Sequence, residues 1–225
     1  MRRRFLVFDL DGTLVDSLAD LRTAANRLLG ELGCPPISLA EARLMVGDGA
    51  PAFVRHAVES RGLRPAAAEL ARMTARYLDH YMAAPAGLTR AYENVPETLE
   101  RLRTAGFICG VCTNKPRVPT LAVLDALGLA PYFGAVICPE DVGNRKPHPD
   151  HLRATVTALG GEIRAAIMIG DSSNDVVPAL ELGMPVAVMR YGYSRKPHAS
   201  LGATLLLDRF ELLATALVRA PFQDA

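Results

Sequence analysis

No charge of one sign dominates this chain. Its 225 residues carry 25 Lys+Arg against 24 Asp+Glu, a formal net charge of +1. That balance offers none of the clustered basic excess on which nucleic-acid surfaces rest. Long hydrophobic runs are missing too, and none approaches the roughly 20 apolar residues of a membrane span. Arg2 to Arg4 followed by Phe5 to Phe8 imitates the start of a secretion signal, but the run stops at Asp9. A signal core needs about 7–15 apolar residues, so the chain is expected to stay in the cytoplasm. There are no repeats, low-complexity tracts or long charge runs. The histidines at 56, 80, 148, 151 and 198 fall at no metal-ligand spacing. His148 and His151 stand near a helix start and are expected at the surface.

Cysteine is scarce, with 4 in all. Cys109 and Cys112 make a C-x-x-C, which elsewhere signals redox or metal chemistry. Here the pair lies within an apolar, strand-like run, and residues three apart on a strand face opposite ways. A reactive pair wants a helix N-terminus to lower the thiol pKa. All four are expected as reduced thiols. Half the residues are hydrophobic and 22% are charged, a globular balance that demands a sizeable core.

The hydrophobic grammar divides the chain. Phe5 to Phe8 reads as a buried strand that ends in the turn Asp9-Leu-Asp-Gly-Thr13. Ser17 and Asp20 match a capping box with Asp in place of Glu, which opens a helix to about Leu32. Helical patterns recur over 38–45, 51–61 and 66–83, broken at Gly33, Pro35, Gly47, Gly49, Gly62 and Pro65. Beyond Pro85, helices alternate with short buried strands: 96–105 then 107–112, 117–127 then 134–138, 149–159 then 165–169, and 174–182 then 185–189. A last apolar run covers 204–207. Such alternation means crossover connections and a parallel sheet. The predicted architecture is α/β: a Rossmann-like, three-layer parallel-sheet core formed by 1–14 and 86–225, with an inserted α-helical unit over 15–85. The linkers 14–16 and 84–87 are candidate hinges.

Ligands of open parallel sheets bind at the strands' carboxyl ends. The predicted strand ends carry Asp9 and Asp11, then Thr113, Asn114 and Lys115, then Lys146, then Asp171 to Asp175. Singly, each is ordinary: Asp-x-Asp-Gly makes turns, a lysine before proline is a solvated loop residue, and Asp-Ser-Ser caps helices. Together they suit phosphoryl transfer. Asp9 can attack phosphorus and so divide one hard step into two. Asp11 can protonate the leaving group and later deprotonate water. Mg2+ takes one or two carboxylates and keeps several waters, and Asp9 and Asp171 can supply them. The cation and Lys146 would then stabilise the transferring group.

The segment Asp9-Leu-Asp-Gly-Thr-Leu-Val-Asp-Ser17 closely resembles the first motif of the haloacid dehalogenase superfamily. Thr113, Lys146-Pro147 and Gly170 to Asp175 resemble its second, third and fourth motifs, in order. The resemblance spans essentially the whole chain, with the helical insert like the superfamily's first type of cap. It implies Asp9 as nucleophile and Mg2+ ligand, and Asp11 as general acid and base whose backbone carbonyl also meets the metal. It implies Thr113 and the backbone near Asn114 as holders of the phosphoryl oxygens. Lys146 would bridge phosphate and nucleophile, Asp171 would bind metal, and Asp175 would support the metal's water shell or orient Lys146. Asp11 and Asp171 argue against the metal-free dehalogenases. The lack of any lysine in 15–85 argues against the branch that forms a Schiff base with phosphonates.

Within the superfamily the pattern looks most like the phosphatases of 2-phosphoglycolate, through Val46 to Ala50, Tyr92 to Pro96, Thr113 to Pro116 and Tyr191 to Tyr193. Enzymes acting on pyrophosphate, sugar phosphates or amino-sugar phosphates share much of this, as do phosphomutases. A receiver-like phospho-acceptor is the non-enzyme alternative, although it would not need Asp11. The expected partner is a small phosphorylated metabolite; no feature of the sequence decides between monomer and homodimer. Gly47, Asp48 and Gly49 are candidates for a loop entering the site, or else a plain interhelical turn. Lys115, Arg117 and Arg43 are candidates to meet an acidic leaving group, or else solvated surface cations.

Overall fold

A computed structural model describes residues 5–217. Its centre is a six-stranded, all-parallel sheet in the order β5-β4-β1-β6-β7-β8. The strands are β1 (Phe5–Phe8), β4 (Ile108–Cys112), β5 (Phe133–Ile137), β6 (Ala166–Gly170), β7 (Val186–Met189) and β8 (Leu205–Leu207). Each lies within a residue or two of its expected span. The chain leaves β1, builds β4 and β5 to one side, then crosses back to lay β6, β7 and β8 on the other. Strand order therefore reverses at β1, and a doubly wound sheet opens its crevice at such a point.

Alternation along the strands divides the core into two layers. Leu6, Phe8, Val111, Ile167 and Ile169 face α5 (Val95–Thr104), α6 (Arg117–Ala126) and α9 (Leu212–Ala216). Val7, Cys112, Met168, Val186 and Val188 face α7 (Pro149–Ala158) and α8 (Ser173–Glu181). Cys109 lies in the first layer and Cys112 in the second, as the odd spacing requires. Burial pushes both thiols up to about 12, so neither is a thiolate near neutral pH. No helix among the described residues is long and apolar enough to cross a membrane.

The remaining helices, α1 (Leu18–Glu31), α2 (Leu39–Met45), α3 (Ala50–Glu59) and α4 (Ala67–Met82), enclose a core of their own. Leu28, Leu29, Phe53, Val54, Val58 and Tyr77 sit at its centre. Tyr193, from the loop after β7, is the residue of the sheet unit that joins them. The two passages between the units form an element that the hydrophobic pattern did not reveal. They pair as an antiparallel ribbon of β2 (Val15–Asp16) and β3 (Arg90–Ala91). Two-residue strands are too short for periodicity to detect.

The capping box expected at Ser17 and Asp20 does not form. The Ser17 hydroxyl donates instead to Asp11 at 2.5 Å. The charged carboxylate holds the hydroxyl in a strong, charge-assisted bond, and the hydroxyl oxygen accepts from no N–H of α1. The first backbone N–H groups of α1 find a substitute from the sheet unit, because Ser17 N and Leu18 N donate to Tyr193 Oη at 2.9 and 3.2 Å. Asp20 turns into the return passage. It accepts from Leu88 N, Thr89 N and Thr89 Oγ1, the last two at 2.8 and 2.7 Å. Asp20 thereby ties α1 to the strand that leads back to the sheet. Asp20→Ala leaves the buried Thr89 N–H and its hydroxyl without their acceptor and should lower stability by about 2–3 kcal/mol, measured by urea denaturation.

Candidate active site

The strand ends converge. β1 delivers Asp9, β6 delivers Asp171, and the first turn of α8 delivers Asp175. Their carboxylate oxygens lie within 4.8 Å of one another, the single such grouping of metal-ligating side chains among the described residues. The turn needs small residues to let them approach. Gly12 has φ +90°, and a Cβ there would collide with the Asp171 carboxylate. A Cβ on Gly192 would do the same.

Lys146 anchors the cluster. Its ammonium lies 2.7 Å from Asp175 Oδ1 and 3.0 Å from Asp9 Oδ1, with its side chain 1% exposed. Asp175 Oδ2 accepts from Asp171 N, Ser172 N and Ser172 Oγ, each at 3.1 Å. Both Asp175 oxygens are thus engaged in holding its neighbours. Asp9 and Asp171 are less engaged: one Asp9 oxygen meets Lys146, and one Asp171 oxygen accepts from Tyr193 N at 2.5 Å.

Three carboxylates around one ammonium leave a surplus of negative charge in a buried place. Burial pushes the Asp9 carboxyl up to about 7, with Asp175 adding to the rise and Lys146 opposing it. Burial, then the charges of Asp175 and Asp9, push Asp171 well above the usual carboxylate range. Such a donor set, hard oxygens short of positive charge, fits a divalent cation.

Asp11 stands at the cleft side of this cluster, bound by Ser17 Oγ and by Lys115 Nζ at 3.1 and 3.3 Å. Thr113 is buried, and its Oγ1 accepts from Lys115 N at 3.1 Å. The Asn114 side chain donates to Gly47 O and to Lys146 O, both at 2.9 Å, so it clasps the helical unit to the lysine loop. A cleft of about 60 Å³ opens between the units. Asp9, Asp11, Thr113, Asn114 and Lys115 form its floor, while Leu21, Phe53, Tyr77 and Tyr81 are among its roof residues.

The specificity candidates separate. Gly47 and Gly49 line the cleft, and a Cβ on Gly49 would approach Asn114 O to 3.0 Å. Asp48 turns away, to Asn174 Nδ2 at 2.9 Å and Arg195 Nη2 at 2.7 Å. Lys115 is not a solvated cation but a buried one that lines the cleft. Arg117 and Arg43 do not line it. Arg117 pairs with Asp141 across the mouth of β5, because the first turn of α6 points it along the sheet edge. Arg43 donates to the carbonyls of Tyr191 and Gly192 and lies 5.5 Å above the Tyr193 ring, so it fastens α2 to the sheet unit.

His151 corrects a further expectation. It is wholly buried rather than at the surface. Its Nδ1 accepts from Lys146 N at 3.1 Å, and Nε2 lies 3.2 Å from Ile137 O. With Nδ1 accepting, Nε2 carries the proton and donates to that carbonyl. His151 therefore fixes the lysine loop. Its position five residues after Lys146, in the first turn of α7, is the only local signal, and spacing alone assigns it no partner. Asn174, Tyr193 and Arg195 also carry no local signal, since their contacts with the helical unit are 126 to 177 residues distant.

Comparison with known proteins follows the same line. The profile of the haloacid dehalogenase-like hydrolases matches residues 6–189. The chain belongs to this family. Among similar haloacid dehalogenase-like proteins is a phosphoglycolate phosphatase of Rhodospirillum rubrum, 43% identical over 213 residues, covering 92% of this chain and 88% of that one. Another is a phosphoglycolate phosphatase of Caulobacter vibrioides, 39% identical over 205 residues, covering 91% and 86%. A crystal structure of a predicted phosphoglycolate phosphatase from Haemophilus somnus superposes with a TM-score of 0.91 at 28% identity, over 96% of this chain and 98% of that one.

Burial, reinforced by the Lys146 charge, lowers the His151 pKa to about 4. The unfolded imidazole, near 6.5, then binds the proton that the folded one refuses, so stability falls as pH drops from about 6.5 to 4 and is unaffected by this group above that window. The slope from this group should reach about 1.4 kcal/mol per pH unit. Denaturation of wild type and His151→Gln at several pH values in that window should show the smaller acid loss in the variant.

Proposed function

We propose that this chain is a Mg2+-dependent phosphomonoester hydrolase that acts on 2-phosphoglycolate through an aspartyl-phosphate. The Asp9, Asp171 and Asp175 group around the buried Lys146, open on one side to Asp11 and the cleft, carries the reading. The relatives named as phosphoglycolate phosphatases, matched over most of both chains, support the substrate.

Asp9 and Asp171 would hold Mg2+, together with the backbone carbonyl of Asp11, and Asp175 would serve Lys146 instead of the ion. When bound, the cation neutralises phosphoryl oxygens and so admits an anionic nucleophile to an anionic ester. Lys146 keeps one Asp9 oxygen fixed, which orients the carboxylate for attack in line with the leaving oxygen. Asp9 forms the new O–P bond as the ester O–P bond breaks, and Asp11 gives its proton to the departing alkoxide. Asp11, now a carboxylate, takes a proton from water as that water attacks phosphorus and releases Asp9 and phosphate. Thr113 and the adjoining backbone hold phosphoryl oxygens. The helical unit over 15–85 acts as the lid, fastened through Gly47, Asp48 and Arg43, and excludes bulk water from the acyl-phosphate.

Asp9→Asn keeps the shape of the site and should lower phosphate release by at least about 10³-fold while leaving the fold intact, as judged by circular dichroism. Wild-type activity in that variant would overturn the nucleophile. EDTA should abolish phosphate release from 2-phosphoglycolate and Mg2+ restore it. At 100 times its Kd, Mg2+ should also stabilise the protein by about 2.7 kcal/mol in calorimetry. Across pyrophosphate, sugar phosphates and amino-sugar phosphates, 2-phosphoglycolate should lead in kcat/KM by at least about tenfold.

A further inference from the structure

Lysine is rare in this chain. Lys115, Lys146 and Lys196 are the only ones, and arginine supplies every other cation. Two of the three are nevertheless buried at the site. Lys146 is surrounded by Asp9 and Asp175. Lys115 is placed differently. It lines the cleft, and it is the one lining residue that carries a positive charge. Its side chain is 4% exposed, and its ammonium stands 4.5 Å from the centroid of the Tyr81 ring.

An ammonium offers three donors and accepts nothing. Asp11 engages at most two of them, through contacts of 3.1 and 3.3 Å. The Tyr81 hydroxyl, also buried, lies beside this ammonium and finds no other partner. Beside the carboxylate that would serve the leaving oxygen, then, stand a cation and a hydroxyl whose own proton has no acceptor, since an ammonium can only donate to it. Around them Leu21, Phe53, Tyr77 and Leu78 present apolar surface. A sugar leaving group would lose its hydration there and find few partners for its hydroxyls, at a cost for each one left unpaired. A short leaving group with a single anionic end would satisfy both polar groups and leave the apolar wall in contact with carbon.

We propose that Lys115 and the Tyr81 hydroxyl form the receptor for a carboxylate on the leaving group, and that this pair selects small acidic phosphomonoesters over sugar phosphates. The inference rests on the phosphatase reading above and names the feature of the substrate that the cleft recognises. Lys115 bridges two carboxylates in this arrangement, Asp11 on one side and the substrate's on the other.

The test compares 2-phosphoglycolate with 2-hydroxyethyl phosphate, which has an uncharged leaving group, on the full chain with Mg2+. Lys115→Gln should lower kcat/KM for both esters, because Asp11 loses a partner. The ratio of the two kcat/KM values should fall at least about tenfold toward the neutral ester, the scale on which a site rejects a substrate that no longer meets its charge. A smaller change in the ratio means that Lys115 acts only through Asp11, and overturns the inference. A second measurement needs no variant: glycolate should inhibit the wild-type chain at least about tenfold more strongly than glycolamide. Equal inhibition by the two would overturn the anionic receptor. If wild-type chain releases phosphate from neither ester, the phosphatase reading fails, and the receptor with it.

Discussion

Three carboxylates gathered around one buried ammonium set the terms for the rest of the molecule. Burying charge is costly unless each charge is paired and hydrogen-bonded. Lys146 meets two of the carboxylates, and the backbone at 171 and 172 meets Asp175. His151 and Asn114 hold the loop that carries Lys146 by its own N–H and C=O. Each of these contacts answers the electrostatic demand of the cluster. The charge that stays uncompensated is the part a divalent cation would answer, which is why burial of Asp9 and Asp171 makes chemical sense.

The parallel sheet supplies the geometry for this. β1 is flanked by β4 and β6, so the ends of three adjacent strands present Asp9, Thr113 and Asp171 side by side. Strand spacing is about 4.8 Å, which brings side chains from neighbouring ends within reach of one ligand. The helical unit contributes no charge to the cleft. Its share is shape and dryness: Leu21, Phe53 and Tyr77 cover the floor, while Gly47 and Arg43 join it to the sheet unit at the rim.

Much of this was legible in the chain. The strand spans were readable because buried parallel strands are short, continuous apolar runs. The opposite facing of Cys109 and Cys112 followed from the pleat, and their separate cores show it. The residues that misled are those with a choice of partner. Ser17 and Asp20 have the right spacing to cap a helix, yet each found another partner: Asp11, six residues back, for one, and the 88–89 backbone for the other. His151 looked like a surface residue because nothing local marks a carbonyl at Ile137 or an N–H at Lys146 as its partners. The arginines at 43 and 117 could be named as cations, but their direction depends on how their helices pack.

The sequence by itself determined what lies close along the chain: the alternation that makes a parallel sheet, the breaks that bound the helices, and the polar residues at each strand end, which carry the family's motifs. Those properties are local, fixed by backbone periodicity and by the few conformations that glycine and proline allow. Only the tertiary structure decided which cation belongs to the cleft, which carboxylate serves as a brace, and which histidine holds the lysine loop. Those outcomes depend on pairings between separate elements, from 14 residues apart at His151 and Ile137 to 104 at Lys115 and Asp11, where burial turns a modest attraction in water into a strong constraint on position.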